Sequence, residues 1–230
     1  NPIQPYTTLY NPIQPYTTLH MNKQYQELQV QPGTFIPQPA LDYPQENPFE
    51  RTLFPKHVKD IVFDEHYPYL DDSITYKFNT IWGYYLIVHF FLRLKLRLQM
   101  GLRIKGREVL KQYKQELSHG AITIANHVYR LDCPCVLLAV NAKHTTRIPM
   151  FAPNFRTKDG FFMRLAGGVP IPDSTTNMSA LKKFNEAFDE FHRRGWWFHI
   201  FPEACRWDFY KPLRPFQKGA FTMSYKYAKP

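Results

Sequence analysis

Ala121 to Val140 reads AITIANHVYRLDCPCVLLAV, and the way this stretch changes character decides the fold. Ala121 to Ala125 are apolar or β-branched and suit a short buried strand, because Ile and Thr pack well on a pleated surface. The strand stops at Asn126-His127. Asp132 then offers a helix N-cap, Pro134 fits the first helical turn, and an apolar run continues to Val140. A strand feeding a loop and then a helix N-terminus puts His127 and Asp132 at the carboxyl end of a sheet, where open α/β folds place their ligands. An aspartate there can accept the Nδ1–H of the histidine and leave Nε2 free to take a proton from a hydroxyl. The pair supplies a base and its orienter, with no nucleophile between them.

Spacing alone does not single out this pair. His66 and Asp71 have the same His-x4-Asp separation, in the aromatic, Pro-containing run HYPYLD, with no strand before it and no helix cap after it. Context selects His127.

With 230 residues, the chain is long enough for one sizeable α/β domain and an appendage. Hydrophobic residues at 44% are ordinary for a globular protein, while 17% aromatics and 20 prolines are high. The formal net charge of +10 and pI near 9.4 imply an anionic partner: membrane phosphate, an acidic carrier or nucleic acid. Three cysteines make no disulfide framework and suit a reducing compartment.

Residues 1–60 read as a Pro-rich extension without a core. Asn1 to His20 is a tandem decapeptide, NPIQPYTTLY then NPIQPYTTLH, and half of the 20 prolines fall by Pro55. Two short copies are too few for a solenoid. No charged segment leads into an apolar core, so no secretory signal is visible, and the chain starts at Asn1 rather than Met, so the expected N-terminus lies further upstream. Deletion of residues 1–60 is expected to cost little.

Residues 61–100 form the next region, built on Lys77 to Leu98, KFNTIWGYYLIVHFFLRLKLRL. Its apolar centre, Ile81 to Leu92, is shorter than a spanning helix needs. Trp82, Tyr84 and Tyr85 at one end and Arg93, Lys95 and Arg97 at the other suit an interfacial helix touching anionic lipid. A buried core helix with a basic end fits the same residues. From Leu92 to Lys105 apolar and basic residues alternate, and a period of two argues for strand. The sequence modules of nucleic-acid binders are absent, so nucleic acid is not the expected partner.

Residues 101–230 alternate strands and helices. RIPMFA (147–152) reads as a strand, Phe155 to Leu165 as a helix, and GGVPIP (167–172) as a turn into a short edge segment. Met178, Leu181, Phe184, Phe188 and Phe191 recur at helical steps, in a helix that ends near Gly195. WWFHIF (196–201) is a buried strand running into Pro202-Glu203-Ala204-Cys205-Arg206. The alternation implies an α/β fold with right-handed crossovers and a largely parallel central sheet flanked by helices.

NHVYRLD, GGVPIP and FPEACR, in this order and at these separations, resemble the first three sequence blocks of the glycerolipid acyltransferases, and most closely those of the 1-acylglycerol-3-phosphate (lysophosphatidate) acyltransferases. The resemblance covers roughly residues 102–230. In the third block Ala204 and Cys205 stand where the family usually has Gly and Thr. In the second, Asp173 stands where it has a basic residue, commonly Arg. The fourth block would begin where the chain stops, so a C-terminal truncation is expected.

The resemblance implies the acyltransferase chemistry of phospholipid biosynthesis. His127 would deprotonate the acceptor hydroxyl, which attacks the thioester of an acyl-CoA or acyl-carrier protein, and Asp132 would hold the imidazole. Gly168, Ile171, Glu203 and Arg206 would line the acceptor site, with Arg206 as a fork for phosphate. Asp173 weakens the case for lysophosphatidate itself as the lysophospholipid acceptor. No cofactor beyond the acyl donor is implied, and the expected location is the cytoplasmic face of a membrane, peripheral or through a single span. Three alternatives stand beside this reading: a different glycerolipid acceptor, a metal site on Cys133, Cys135, Cys205 and His127, and a non-catalytic basic domain that binds membranes.

Overall fold

Four short strands form one sheet in the order β1-β4-β2-β3, every neighbouring pair parallel. They are β1 (Ile122–Ile124), β2 (Thr146–Met150), β3 (Gly168–Pro170) and β4 (Trp197–Ile200). This is the expected α/β arrangement with helices on the sheet. The computed structural model describes residues 47, 49–51, 53–174, 176–210 and 213–230. The decapeptide repeat and the extension up to residue 46 lie outside the described residues.

Strand alternation sorts the core into two clusters. Arg147 and Phe198 are register partners on β2 and β4. Phe198 packs with Val169, Phe184, Phe188, Phe191 and Tyr227. Arg147 shares that face, its guanidinium 4.1 Å from the centre of the Trp196 ring. One residue on, Ile148 points the other way and packs with Tyr84, Val88, Leu96, Leu137 and Leu138. The first cluster rests on a 16-residue helix, Met178–Arg193, whose N-cap Asn177 accepts from the Ala180 amide at 3.0 Å. Phe184, Phe188 and Phe191 recur on its buried face as the sequence predicts, while Met178 is exposed.

The second cluster rests on the lipophilic segment, which is helical throughout. Ile74–Trp82 is α-helical, Gly83–Leu92 continues with i→i+5 bonding, and Arg93–Leu98 returns to α. Ser73 caps it, its Oγ accepting from the Tyr76 amide at 3.2 Å. The strand expected from the alternation of residues 92–105 is therefore corrected: residues 93–98 are helix. A period of two places every second alternate residue four positions apart, which is also one helix face. Leu92 and Leu96 pack inward, while Leu94 and Leu98 are left exposed. Tyr84, grouped with the interfacial aromatics from sequence, is turned into the core at 1% exposure. The core reading describes the inward face of this helix, while Leu94 and Leu98 stay exposed on another.

Ahead of residue 61 the described chain runs along the domain. Phe63 is buried with Ala152 and Phe155. Ahead of it, the Val58 and Lys59 amides donate to the Arg156 carbonyl at 2.9 and 3.0 Å, and the Trp207 indole donates to the Glu50 carbonyl at 2.9 Å. Residues 49–63 (residue 52 lies outside the described set) thus lie as a strap against the α/β domain. Backbone hydrogen bonds and the buried Phe63 ring hold it there.

Candidate active site

All four strands are parallel, so their carboxyl ends share one edge of the sheet, and the loops that leave them converge there. The β1 loop carries His127, the β4 loop carries Phe201 to Arg206, the β2 end carries Phe151, and β3 runs into Ile171 and Asp173. Together with the strap they wall a cavity of about 1020 Å³, and His127 is on its surface.

His127 is held by three contacts. Its Nδ1 lies 2.9 Å from Asp132 Oδ2, so Asp132 accepts the ring N–H and Nε2 is left for the cavity. Its ring stacks on Phe201, with centroids 4.1 Å apart and planes 18° from parallel. Its backbone amide donates to Glu203 Oε2 at 2.9 Å. Asp132 Oδ2 also accepts the Val128 and Tyr129 amides, both at 2.8 Å. The sequence expectation of Asp132 as an N-cap is corrected here: Leu131 is the N-cap, and Asp132 is the first residue of the helix Asp132–Val140. Its carboxylate turns back onto the loop that presents His127, so the aspartate orients loop and ring together.

His199, on β4, accompanies His127 without joining it. Its Nδ1 lies 2.9 Å from Thr123 Oγ1, and burial together with the nearby His127 pushes its pKa down to about 4. It is neutral at physiological pH. Of the two His-x4-Asp matches, only the one at His127 forms: Asp71 pairs with Arg164 at 3.0 Å, and the His66 side chain is 84% exposed.

The remaining residues implied by the resemblance divide. Ile171 and Arg206 line the cavity. Arg206 Nε meets Asp208 Oδ1 at 2.6 Å, so this cation already has a carboxylate beside it. Glu203 is corrected from a lining residue to a buried brace. Its side chain is 1% exposed, and it pairs with Arg214 at 3.1 Å, itself 2% exposed. Gly168 is a packing position: a Cβ there would stand 2.8 Å from the Met163 carbonyl oxygen. Its neighbour Gly167 has φ +91°, a left-handed turn that admits no side chain cheaply.

Asp173 is in the cavity wall, yet it is not an unpaired charge. Its Oδ2 accepts from Arg156 Nη2 at 2.5 Å and from the Phe63 amide at 2.9 Å. The sequence reading missed Arg156 and Arg214, because each meets its carboxylate through the fold and not through a recognisable spacing.

The metal alternative finds no support in the geometry. Among the described residues no group of three or more His, Cys, Asp or Glu side chains could hold a metal ion. Cys205 is turned away, its thiol 3.3 Å from the Glu50 carbonyl oxygen. Burial and the Asp132 carboxylate push the Cys133 thiol up to about 12, and the same two causes push Cys135 to about 11.

The parallel sheet thus carries an oriented histidine at its carboxyl edge, facing an open cavity. The family model described as Acyltransferase matches residues 101–229, more than half of the 230-residue chain, and the chain belongs to that family, the glycerolipid acyltransferases. The membership supports acyl transfer in glycerolipid biosynthesis. Neither the curated proteins nor the solved structures gave a match to this chain.

Proposed function

We infer that the chain moves a fatty acyl group from acyl-CoA or an acyl-carrier protein to the free hydroxyl of a lysophosphatidate-like acceptor. The observation that carries this reading is the 2.9 Å contact between His127 Nδ1 and Asp132 Oδ2, with the ring edge open to the cavity. Nε2 accepts the hydroxyl proton as the acceptor oxygen attacks the thioester carbonyl carbon. The tetrahedral adduct collapses, the C–S bond breaks, and the imidazolium returns its proton to the departing thiolate. Asp132 stabilises the charge the ring carries between those steps. A positioned base contributes about 10²- to 10⁴-fold. The raised pKa values of Cys133 and Cys135 support direct attack, because protonated thiols are poor nucleophiles at neutral pH.

The test is acyl transfer by the purified chain with a thioester donor and lysophosphatidate, a neutral-headgroup lysolipid or a monoacylglycerol as acceptor. His127→Ala should lose about 10²-fold or more, with an unchanged melting temperature, and His66→Ala should match the parent. Equal losses in both variants would remove His127 from the chemistry.

For localisation, our reading is contact with the cytoplasmic face of a membrane through residues 61–100. Ile74, Phe78, Trp82, Phe90, Leu94 and Leu98 are all exposed along one helical segment that ends in Arg93, Lys95 and Arg97, and this supports an apolar face docked beside anionic headgroups. Among the described residues no helix is long and apolar enough to cross a membrane. Sedimentation with anionic vesicles should weaken as salt rises, since exposed charges are screened beyond about 8 Å at physiological ionic strength. Retention that is indifferent to salt and to carbonate would replace this reading with a spanning segment.

A further inference from the structure

The strap brings charge to a cavity that the acyltransferase family match does not span. Residues 101–229 contain the family blocks, yet Arg51, Leu53, Phe54, Pro55, Lys56 and Val58 also wall the cavity that holds His127. The strap is fixed at both ends by the site itself. At one end, the Trp207 indole and the Cys205 thiol meet the Glu50 carbonyl oxygen at 2.9 and 3.3 Å. At the other, Asp173 accepts the Phe63 amide, and Arg156 donates to the Ile61 carbonyl at 2.8 Å and to Asp173. Asp173, which stands where the family has a basic residue, is an anchor for the strap.

Arg51 is the residue that this anchoring positions most closely. Its guanidinium lies 3.6 Å from the centre of the Phe151 ring, and Nη2 donates to the Ala204 carbonyl at 3.3 Å. Burial pulls its pKa down from the ordinary arginine value. Among the described residues no carboxylate forms an ion pair with it. A half-buried guanidinium, stacked on an aromatic face and with no carboxylate paired to it among the described residues, is arranged for an incoming anion. Lys56, Lys158 and Arg206 line the same cavity, against Asp159 and the already paired Asp173.

We propose that Arg51 binds a phosphate group of the substrate and that the strap is the segment that delivers it to the acyl-transfer site. The proposal rests on the acyl-transfer reading above. Phosphate is present both on a lysophosphatidate-like acceptor and on the coenzyme A or carrier-protein donor, so the experiment has two arms. In the first, KM is measured for lysophosphatidate and for monoacylglycerol at saturating acyl-CoA. In the second, it is measured for acyl-CoA and for an acyl-pantetheine thioester without phosphate, at saturating acceptor.

Arg51→Gln should raise KM for one phosphate-bearing substrate about tenfold or more, leave its phosphate-free analogue unchanged, and retain kcat. Arg51→Lys should recover part of that loss, because it keeps the charge and loses the fork. Lys59→Ala, on the strap but outside the cavity wall, is the control and should leave both constants unchanged. The arm in which the selective rise occurs identifies the phosphate. Equal KM changes for phosphate-bearing and phosphate-free partners, or none, would overturn the role of Arg51 while the parent activity still stood. Loss of transfer in the parent chain would instead remove the acyl-transfer reading on which the proposal depends. A fall in the melting temperature of Arg51→Gln with no selective KM effect would assign Arg51 to holding the strap, and that also overturns it.

Discussion

Replacing Glu203 by Gln removes one negative charge from a pair that water does not reach. The Glu203 and Arg214 side chains are 1% and 2% exposed and stand 3.1 Å apart. The carboxylate is fully committed: Oε2 accepts the His127 amide and Arg214 Nη2, and Oε1 accepts the Arg214 amide. A glutamine amide has one acceptor and one donor. Whichever way it turns, its NH₂ faces at least one N–H that the carboxylate had satisfied. Arg214, which also donates to the Cys205 carbonyl and lies over the Trp207 ring, loses the buried carboxylate that Glu203 holds against it.

Breaking a buried pair from one side costs about 3–5 kcal/mol. A domain of this size shifts by about 2–4 °C per kcal/mol, so the melting temperature should fall by roughly 6–20 °C. Denaturant unfolding gives the free energy directly, and Glu203→Gln combined with Arg214→Met should recover part of the loss, because the second change removes the stranded charge. Below the transition, the variant should lose kcat more than KM, since the His127 loop has lost an amide acceptor. A variant of unchanged stability with a raised KM for the acceptor would refute the reasoning and return Glu203 to the substrate-binding wall.

The three cysteines should be dispensable for chemistry: Cys133→Ala, Cys135→Ala and Cys205→Ala each keep most of the transfer activity, and intact-mass analysis during turnover finds no acyl-thioester on the chain. An adduct on any one of them would require a double-displacement route. His199 sets a pH dependence of stability. Its pKa is about 4 when folded and 6.5 when free, so as pH falls below 6.5 the unfolded chain takes up the proton first. Stability should drop by up to about 3 kcal/mol between pH 6.5 and 4, then level off for this group. His199→Gln should flatten that slope, and an unchanged slope would move the titration elsewhere. Ala204 sits at φ +63°, where a Cβ costs about 1–2 kcal/mol and glycine costs nothing. Against the extra unfolded-state freedom of glycine, about 0.4–1 kcal/mol, Ala204→Gly should stabilise by roughly 0.5–1 kcal/mol in denaturant titration.

The parallel sheet is legible from the alternation of strand and helix patterns, and the His127–Asp132 pair because it is local. A short strand, a loop and a helix start fix where the histidine emerges, and the Asp that orients it follows five residues later. The helix at residues 93–98 was misread for a physical reason: apolar residues at every second position satisfy a strand pattern and a helical i, i+4 pattern at once. Only packing of Leu96 against Leu137 and Leu138 separates them. The role of Glu203 was hidden because its partner is Arg214, and no spacing rule predicts a buried ion pair across an intervening loop. The strap was hidden most completely. Beyond the Phe63 ring, much of its hold on the domain is made by backbone groups of residues 50, 58, 59 and 61, which carry no side-chain signature.

The two carboxylates of the motifs do different work on one residue. Asp132 fixes the His127 ring through Nδ1, and Glu203 fixes its main chain through the amide. Phe201, two residues before Glu203, supplies the flat surface the ring rests on. One restraint therefore comes from the loop after β1 and two come from the segment after β4. These meet only because β1 and β4 pair in one register, Ile124 opposite Ile200. A one-residue slip of that pairing would reverse the faces of the strand and carry Phe201 and Glu203 away from the histidine. His127 is aimed by the alignment of two strands that lie more than 70 residues apart in sequence, and the pairs Ile122–Phe198 and Thr123–His199 hold that alignment from within the core.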